Sequence, residues 1–485
     1  MCSISKNTYK DYPEEKEKKH SRKYSKFISL CTFIVLSLGL ILGTMGIKAR
    51  GLEEVHEADL PEIRITNPEA PCKPLAIKIP ESTPDWPRGP HAERPLWVVR
   101  LNDGTKLCFI GTNYVIAYKI RPGHSILSDS NALDLNSGHL VSRGLVPRGP
   151  VEWPSPESVM EDPRYWRHHY YGASTVHLID HPKTGEPCLV TFLHGENSDF
   201  PNLERQLRWR NENFQGKELK WTFYPCSILP LPFSEDQPQN RKSYFAFVGM
   251  AWSPVDESGK VDFMKHDLGP VVWPVKPYLD SEDHYLSTGV RTPYGFVHDG
   301  YIYVYYKFEE DITGGANADG AIRVARASLD SLFEPGAFKV YHDGAFNEPA
   351  LPVGFEKTDR RYLKQAGGQA DPILPGKPNS ERFQVAKLKG TPYFLGVEHR
   401  VYYEEDREFY EVWLHLSGDL VHWSRGTPVP GTAGSKYNSR LGHRPILVNK
   451  DYTGHELVDP DGFYIAAKRG AKGIFVRFTS VELIK

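Results

Sequence analysis

Cysteine is scarce in this chain of 485 residues, with 6 copies, and none of them has the spacing of a zinc site. Cys72, Cys108, Cys188 and Cys226 lie beyond an apolar N-terminal run, and sequence alone does not choose among their pairings. A domain of this size does not need disulfides to hold its core. Excess charge is also lacking. The net charge is -2 with a quarter of residues charged, which argues against a nucleic-acid partner. There is no Gly-x-Gly-x-x-Gly and no other phosphate cradle, so no organic cofactor is expected. No Asn-x-Ser/Thr occurs, which favours a bacterial exported protein over a eukaryotic secreted one. Helical periodicity is absent outside the N-terminal run.

That run is the first positive feature. Residues 1–26 are polar and carry Lys6, Lys10, Lys16, Lys18, Lys19, Arg22, Lys23 and Lys26. Residues 27–47 are continuously apolar and uncharged. At ~1.5 Å per residue they reach roughly 30 Å, the thickness of a bilayer core. The basic flank keeps a cytoplasmic tail inside and sends the rest outside. The expectation is a signal-anchor in the cell membrane with the C-terminal part extracytoplasmic. Secretion after cleavage is the rival, although Gly43-Thr44-Met45-Gly46-Ile47 is a poor cleavage site. Residues 48–94, polar and Pro-rich, read as a stalk.

From residue 95 onward the chain is rich in short alternating runs, with 26 Tyr, 10 Trp, 41 Gly and 39 Pro to build strands and turns. Two such runs flank Asp299-Gly300. The same phrase returns as 383–395 and runs on to Leu416-Ser417-Gly418-Asp419-Leu420-Val421-His422-Trp423. A hairpin at 96–111, a unit at 174–253 and a last unit at 442–478 repeat the pattern. Residues 121–156 read as a long, strand-poor connection. Strand, tight turn, strand and a closing Ser-x-Asp-Leu is the grammar of a propeller blade. The predicted fold is all-β: a five-bladed β-propeller over 95–485, preceded by one N-terminal transmembrane helix.

Asp299-Gly300-Tyr301-Ile302-Tyr303-Val304-Tyr305-Tyr306 and the 416–423 blade ending resemble those of the five-bladed β-propeller glycosidases. That group includes glycoside hydrolase family 43 and the invertase and levansucrase families. The resemblance covers roughly residues 95–485. It implies a carbohydrate substrate and catalytic carboxylates on innermost strands of different blades. The invertase-type Trp-x-Asn-Asp-Pro is missing, as is an Asp-Pro near the first strand of the first unit.

Glycosidic cleavage needs one carboxyl group to protonate the leaving oxygen and a second to activate water or attack. Glu196, after an apolar strand, is the first candidate; a solvated turn is the alternative. Glu381, beside Arg382 just before the strand at 383–386, is the second, with a surface ion pair as its rival. Asp129, in Ser128-Asp129-Ser130-Asn131, is a third, although turn chemistry explains it equally well. His194, Arg291, Arg382, Glu398, His399, His443 and Arg444 are the candidate substrate-binding residues. Asp299, Asp419 and Asp461 are read as turn residues. No metal ligands are assigned. A Ca²⁺ in a propeller channel is conceivable from the abundance of oxygen ligands, but no acidic ligand loop is recognisable.

The favoured expectation is a membrane-anchored extracytoplasmic glycoside hydrolase acting on poly- or oligosaccharide. The alternative is a non-catalytic propeller that binds glycan or a protein partner at the cell surface. A transferase or lyase using the same pocket is a third reading.

Overall fold

The computed structural model describes residues 60–77, 96–111, 114–143, 170–198, 244–255, 259–276, 288–310, 320–355, 365–374, 379–404, 407–435, 443–468 and 474–484. Two short strands, β1 (Glu62–Ile65) and β2 (Cys72–Pro74), come first. The next four, β3 (Trp97–Arg100), β4 (Lys106–Gly111), β5 (Tyr114–Ile120) and β6 (Leu133–Arg143), form an antiparallel meander. A second meander is β7 (Tyr170–Asp180), β8 (Pro187–Ser198), β9 (Tyr244–Pro254) and β10 (His266–Val272). A third is β11 (Thr288–His298), β12 (Tyr301–Glu310), β13 (Ala321–Ser328) and β14 (Lys339–His342), with β15 (Ala345–Pro349) at its edge. A fourth is β16 (Asn379–Leu388), β17 (Phe394–Glu404) and β18 (Arg407–Ser417), with β19 (Thr427–Pro428) and β20 (Gly434–Ser435) both on β18. The last holds β21 (His443–Asn449), β23 (Phe463–Lys468) and β24 (Ile474–Thr479), while β22 (Leu457–Val458) runs parallel to the end of β16. Then β2 completes the last meander on β24, and β25 (Val481–Ile484) pairs with β1. The fold is all-β with curled sheets, as a propeller requires.

Local chemistry explains the hairpins. Asp299 and Gly300, at φ 48° and 75°, link β11 to β12 by the left-handed two-residue turn that matches strand twist. Alternating apolar residues then bury both faces of each inner strand. Tyr305, Ile322, Val324 and Phe383 fill the space between the third and fourth meanders. Leu395, Leu414, Leu447 and Ile465 do so between the fourth and the last.

The first strands of the meanders are tied to one another in sequence order by polar links. The indole N–H of Trp97 on β3 donates to the carbonyl of Val176 on β7 at 2.6 Å. The amide of Gly295 on β11 donates to Thr175 Oγ1 on β7 at 2.9 Å. Thr292 Oγ1 on β11 donates to the carbonyl of Glu381 on β16 at 2.9 Å. Gln384 on β16 accepts from the amide of Leu447 on β21 at 2.7 Å. Finally, His455, just after β21, accepts from the amide of Val98 on β3 at 2.9 Å and stacks on Trp97 with centroids 4.0 Å apart. The chain of links returns to the strand where it began.

Several expectations change here. Residues 62–65 and 72–74, read as stalk, are strands of the folded body, paired with segments some four hundred residues later. The connection expected over 121–156 contains β6, an 11-residue strand. Cys108 and Cys188 are buried thiols; burial pushes Cys188 up to about 12 and Cys108 higher still. Cys226 lies outside the described residues, as do residues 27–47 of the apolar run. No helix among the described residues is long and apolar enough to cross a membrane.

Candidate functional site

Charged side chains collect where the first strands of the third, fourth and last meanders begin. On the β11–β12 hairpin, Arg291 is paired with Lys307 in the ladder, and Glu309 lies two residues along on the same strand face as Lys307. Glu309 forms ion pairs with both cations. From the start of β16, Glu381 reaches across: its Oε2 is 3.0 Å from Lys307 Nζ and 3.8 Å from an Arg291 nitrogen. The Lys307 side chain is 3% exposed, whereas that of Glu381 is 17% exposed. The Glu381 side chain therefore keeps some exposure, whereas that of Lys307 is covered.

Arg382, the next residue, is buried. Its guanidinium lies over the ring of Tyr294 and donates to the phenol oxygen at 3.4 Å. His399 on β17 pairs with Arg382 in the ladder and packs edge-on against Tyr410 at 4.6 Å. Burial pushes His399 down to about 3; the charge of Glu381 opposes this, while Arg382, Arg444 and Lys307 reinforce it. These electrostatic couplings place Arg444, from β21, in the same group. His399 is thus a neutral imidazole among cations.

Two backbone distortions flank this group. Thr292 has φ 55° at the irregularity in β11, and Arg444 has φ 71° at the irregularity in β21. Positive φ is costly for a β-branched residue such as Thr292, and such strain clusters at functional sites. The Thr292 hydroxyl ties the distorted stretch to the Glu381 carbonyl.

Glu398 adjoins His399 in the strand, so its side chain takes the other face. It is fully buried, bonded to Ser380 Oγ, to His415 Nε2 at 2.9 Å and to Arg400 at 2.8 Å. Burial alone would raise its pKa; the His415 hydrogen bond and the charges of His415 and Arg400 outweigh that and bring it to about 2. This network braces β16, β17 and β18 together.

The other sequence candidates stand as follows. Glu196 is on β8, opposite Tyr170 and Ala246, and its side chain lies outside the described residues. His194, two residues earlier, is buried on the same strand. Between them, Gly195 is needed because a Cβ there would meet the Phe247 ring at 2.3 Å. The side chain of His443 also lies outside the described residues. Asp129 stands apart, in the connection from β5 to β6 at the far end of those strands. It accepts from the amide of Asn131 at 2.8 Å and pairs with His124, which is turn work.

Among the described residues, three side chains have ligand atoms close enough to hold a metal ion together: His342, Asp343 and Asp371, all within 4.8 Å. They lie on and beyond β14, the outer part of the third meander. His342 and Asp371 already bond each other at 3.0 Å, and Asp371 also accepts the Asp343 amide.

Lys307, Glu309, Thr292 and Tyr294 were not singled out from sequence. A signal did exist: Lys307 and Glu309 are charged residues two apart at the end of an aromatic strand, on one face of it.

No family model and no curated protein matches the chain. Among solved structures it is similar to the catalytic domain of a GH62 alpha-L-arabinofuranosidase from Coprinopsis cinerea. That match has 8% identity, spans 84% of this chain and 96% of the other, and has a TM-score of 0.36. An exo-beta-1,3-galactanase from Phanerochaete chrysosporium is similar at 8% identity over 84% of this chain and 64% of the other, with a TM-score of 0.37. A levansucrase from B. megaterium matches at 10% identity over 70% of this chain and 69% of the other, with a TM-score of 0.32. The chain has a remote likeness to glycoside hydrolases.

Proposed function

We propose that this protein is a glycoside hydrolase acting on poly- or oligosaccharide at the head of a five-bladed propeller funnel. The observation that carries this reading is Glu381: a partly exposed side chain beside buried Lys307, at the start of a first strand. A carboxylate flanked by two cations suits the base or nucleophile of glycosidic cleavage rather than the acid. Glu196, on the second meander, is the proposed proton donor. Arg291 and Arg444, both partly exposed, and His443 are the proposed hydrogen-bond donors to sugar hydroxyls, whereas Arg382, His399 and His194 are buried. The ring of polar links among first strands supports five blades, and residues 27–47 are proposed to anchor the chain in the cell membrane with the propeller outside.

The test is hydrolysis of a panel of polysaccharides and aryl glycosides by the full chain, with Glu381→Gln and Glu196→Gln beside it. The expected result is turnover reduced at least about a hundredfold in each variant. Full turnover in both variants would discard the assignment of the pair. The donor-rich surroundings of Glu381 favour one second reading, a glycan-binding propeller without catalysis. Glycan binding by a wild-type protein that hydrolyses nothing would select it.

A further inference from the structure

Resting on that reading of Glu381, we propose that Lys307 is the positioning residue that fixes its place and its charge. The two come from different meanders: Lys307 from the end of β12, Glu381 from the start of β16. They meet at 3.0 Å with the ammonium almost wholly covered. A covered ammonium is a poorly screened charge, so its effect on a neighbouring carboxylate is large. It is also held on a strand rather than a loop, opposite Arg291 in the ladder. The surroundings of Glu381 consist of Arg291 on β11, Lys307 and Glu309 on β12, Arg382 beside it on β16, His399 on β17 and Arg444 on β21. Glu309 competes with Glu381 for the same ammonium and for Arg291. The charge that Glu381 feels is therefore set by how Lys307 is shared between two carboxylates, one covered and one open. With Lys307 beside it, Glu381 is placed for the base or nucleophile role, and proton donation falls to a group on another meander.

The experiment titrates Glu381 directly in the full chain, labelled with ¹³C-carboxyl glutamate and assigned by loss of the signal in Glu381→Gln. In Lys307→Met the Glu381 transition is expected to move up by about one pH unit or more, a tenfold gain in proton affinity. Lys307→Arg is expected to keep it near the wild-type position. Glu309→Gln, which frees the ammonium for Glu381, is expected to move it down, and it gives the answer if Lys307→Met does not fold. A Glu381 transition unmoved in folded Lys307→Met, or moved upward in Glu309→Gln, overturns the inference. The readout does not depend on turnover. Movement without any hydrolysis by wild type would sink the hydrolase reading alone, and hydrolysis without movement would sink this inference alone.

Discussion

Arg291 and Lys307 stand directly opposite one another in the β11–β12 ladder. Like charges at one rung repel, and an isolated hairpin would splay there. Glu309 answers both cations from within the hairpin, and Glu381 answers them from the neighbouring meander. The charge balance of one meander is thus completed by the next. Packing of β16 against β11 and assembly of the cluster are the same event.

Thr292 joins these two meanders through one hydroxyl while sitting at positive φ. Thr292→Val keeps the shape and removes the donor, and is expected to cost about 1–3 kcal/mol from the unsatisfied carbonyl. Thr292→Gly removes the same bond but relieves the backbone, so it is expected to cost less than Val. Urea midpoints decide; equal midpoints for Val and wild type would show that the hydroxyl contributes nothing.

Glu398 is expected to govern part of the acid limb of stability. Its folded pKa of about 2 lies below the ordinary 4.5. The stability it contributes is present above pH 4.5 and is lost as pH falls toward 2. Glu398→Gln is expected to melt earlier at pH 7, with a loss of about 3–5 kcal/mol for breaking a buried pair. Its melting temperature should fall less between pH 4.5 and 2 than that of wild type, and parallel curves would refute the assignment.

His399 and His455 act in a higher window. Burial brings each down to about 3 from 6.5. The His455 ring accepts from Val98 on one nitrogen and so donates to the Leu447 carbonyl from the other, which leaves no site for a second proton. Below pH 6.5 the unfolded chain takes up protons that the folded one refuses, so stability is present above 6.5 and falls as pH drops toward 3. Denaturant midpoints across that range are expected to slope downward with acid, and His399→Phe is expected to reduce the slope. A flat profile in wild type would contradict the buried neutral state.

Gly295 lies where no side chain fits. A Cβ there would be 2.4 Å from His177 Nε2 and 2.6 Å from the Phe192 ring. Gly295→Ala is expected to destabilise by about 1–3 kcal/mol or more, because Phe192 and His177 are both buried and cannot withdraw. Calorimetry measures it directly. A melting temperature equal to wild type would mean that the two meanders can separate at no cost.

The fold was readable where the determinants were local. Asp103-Gly104 and Asp299-Gly300 lie in turns that join alternating runs, and the pairs follow in register. Strand β6 was not readable, because Asp134-Leu135-Asn136-Ser137 carries turn residues at its start. Glu62–Ile65 and Cys72–Pro74 are too short to declare themselves, and their partners lie at the far end of the chain. The site shows the same division. Glu381, Arg382 and His399 stand out as polar residues in apolar strands, whereas the reach of Lys307 to Glu381 depends on two meanders lying side by side. Asp129 looked like chemistry because an Asp that caps its own turn and an Asp that binds a substrate are spelled alike.

The pairing of β1 with β25 and β2 with β24 sets an order on biosynthesis. A ribosome releases residues 62–74 early, but no strand exists for them to join until residues 474–484 have left the exit tunnel. During that interval, the edge of β24 that β2 will cover does not yet exist, and the early segment has to be kept from wrong partners. The antiparallel register puts Glu62 beside Ile484 and Ile65 beside Val481. Tension between those two ends would open the pair one rung at a time, so the latch that completes the fold last is also the one that a pull would release first.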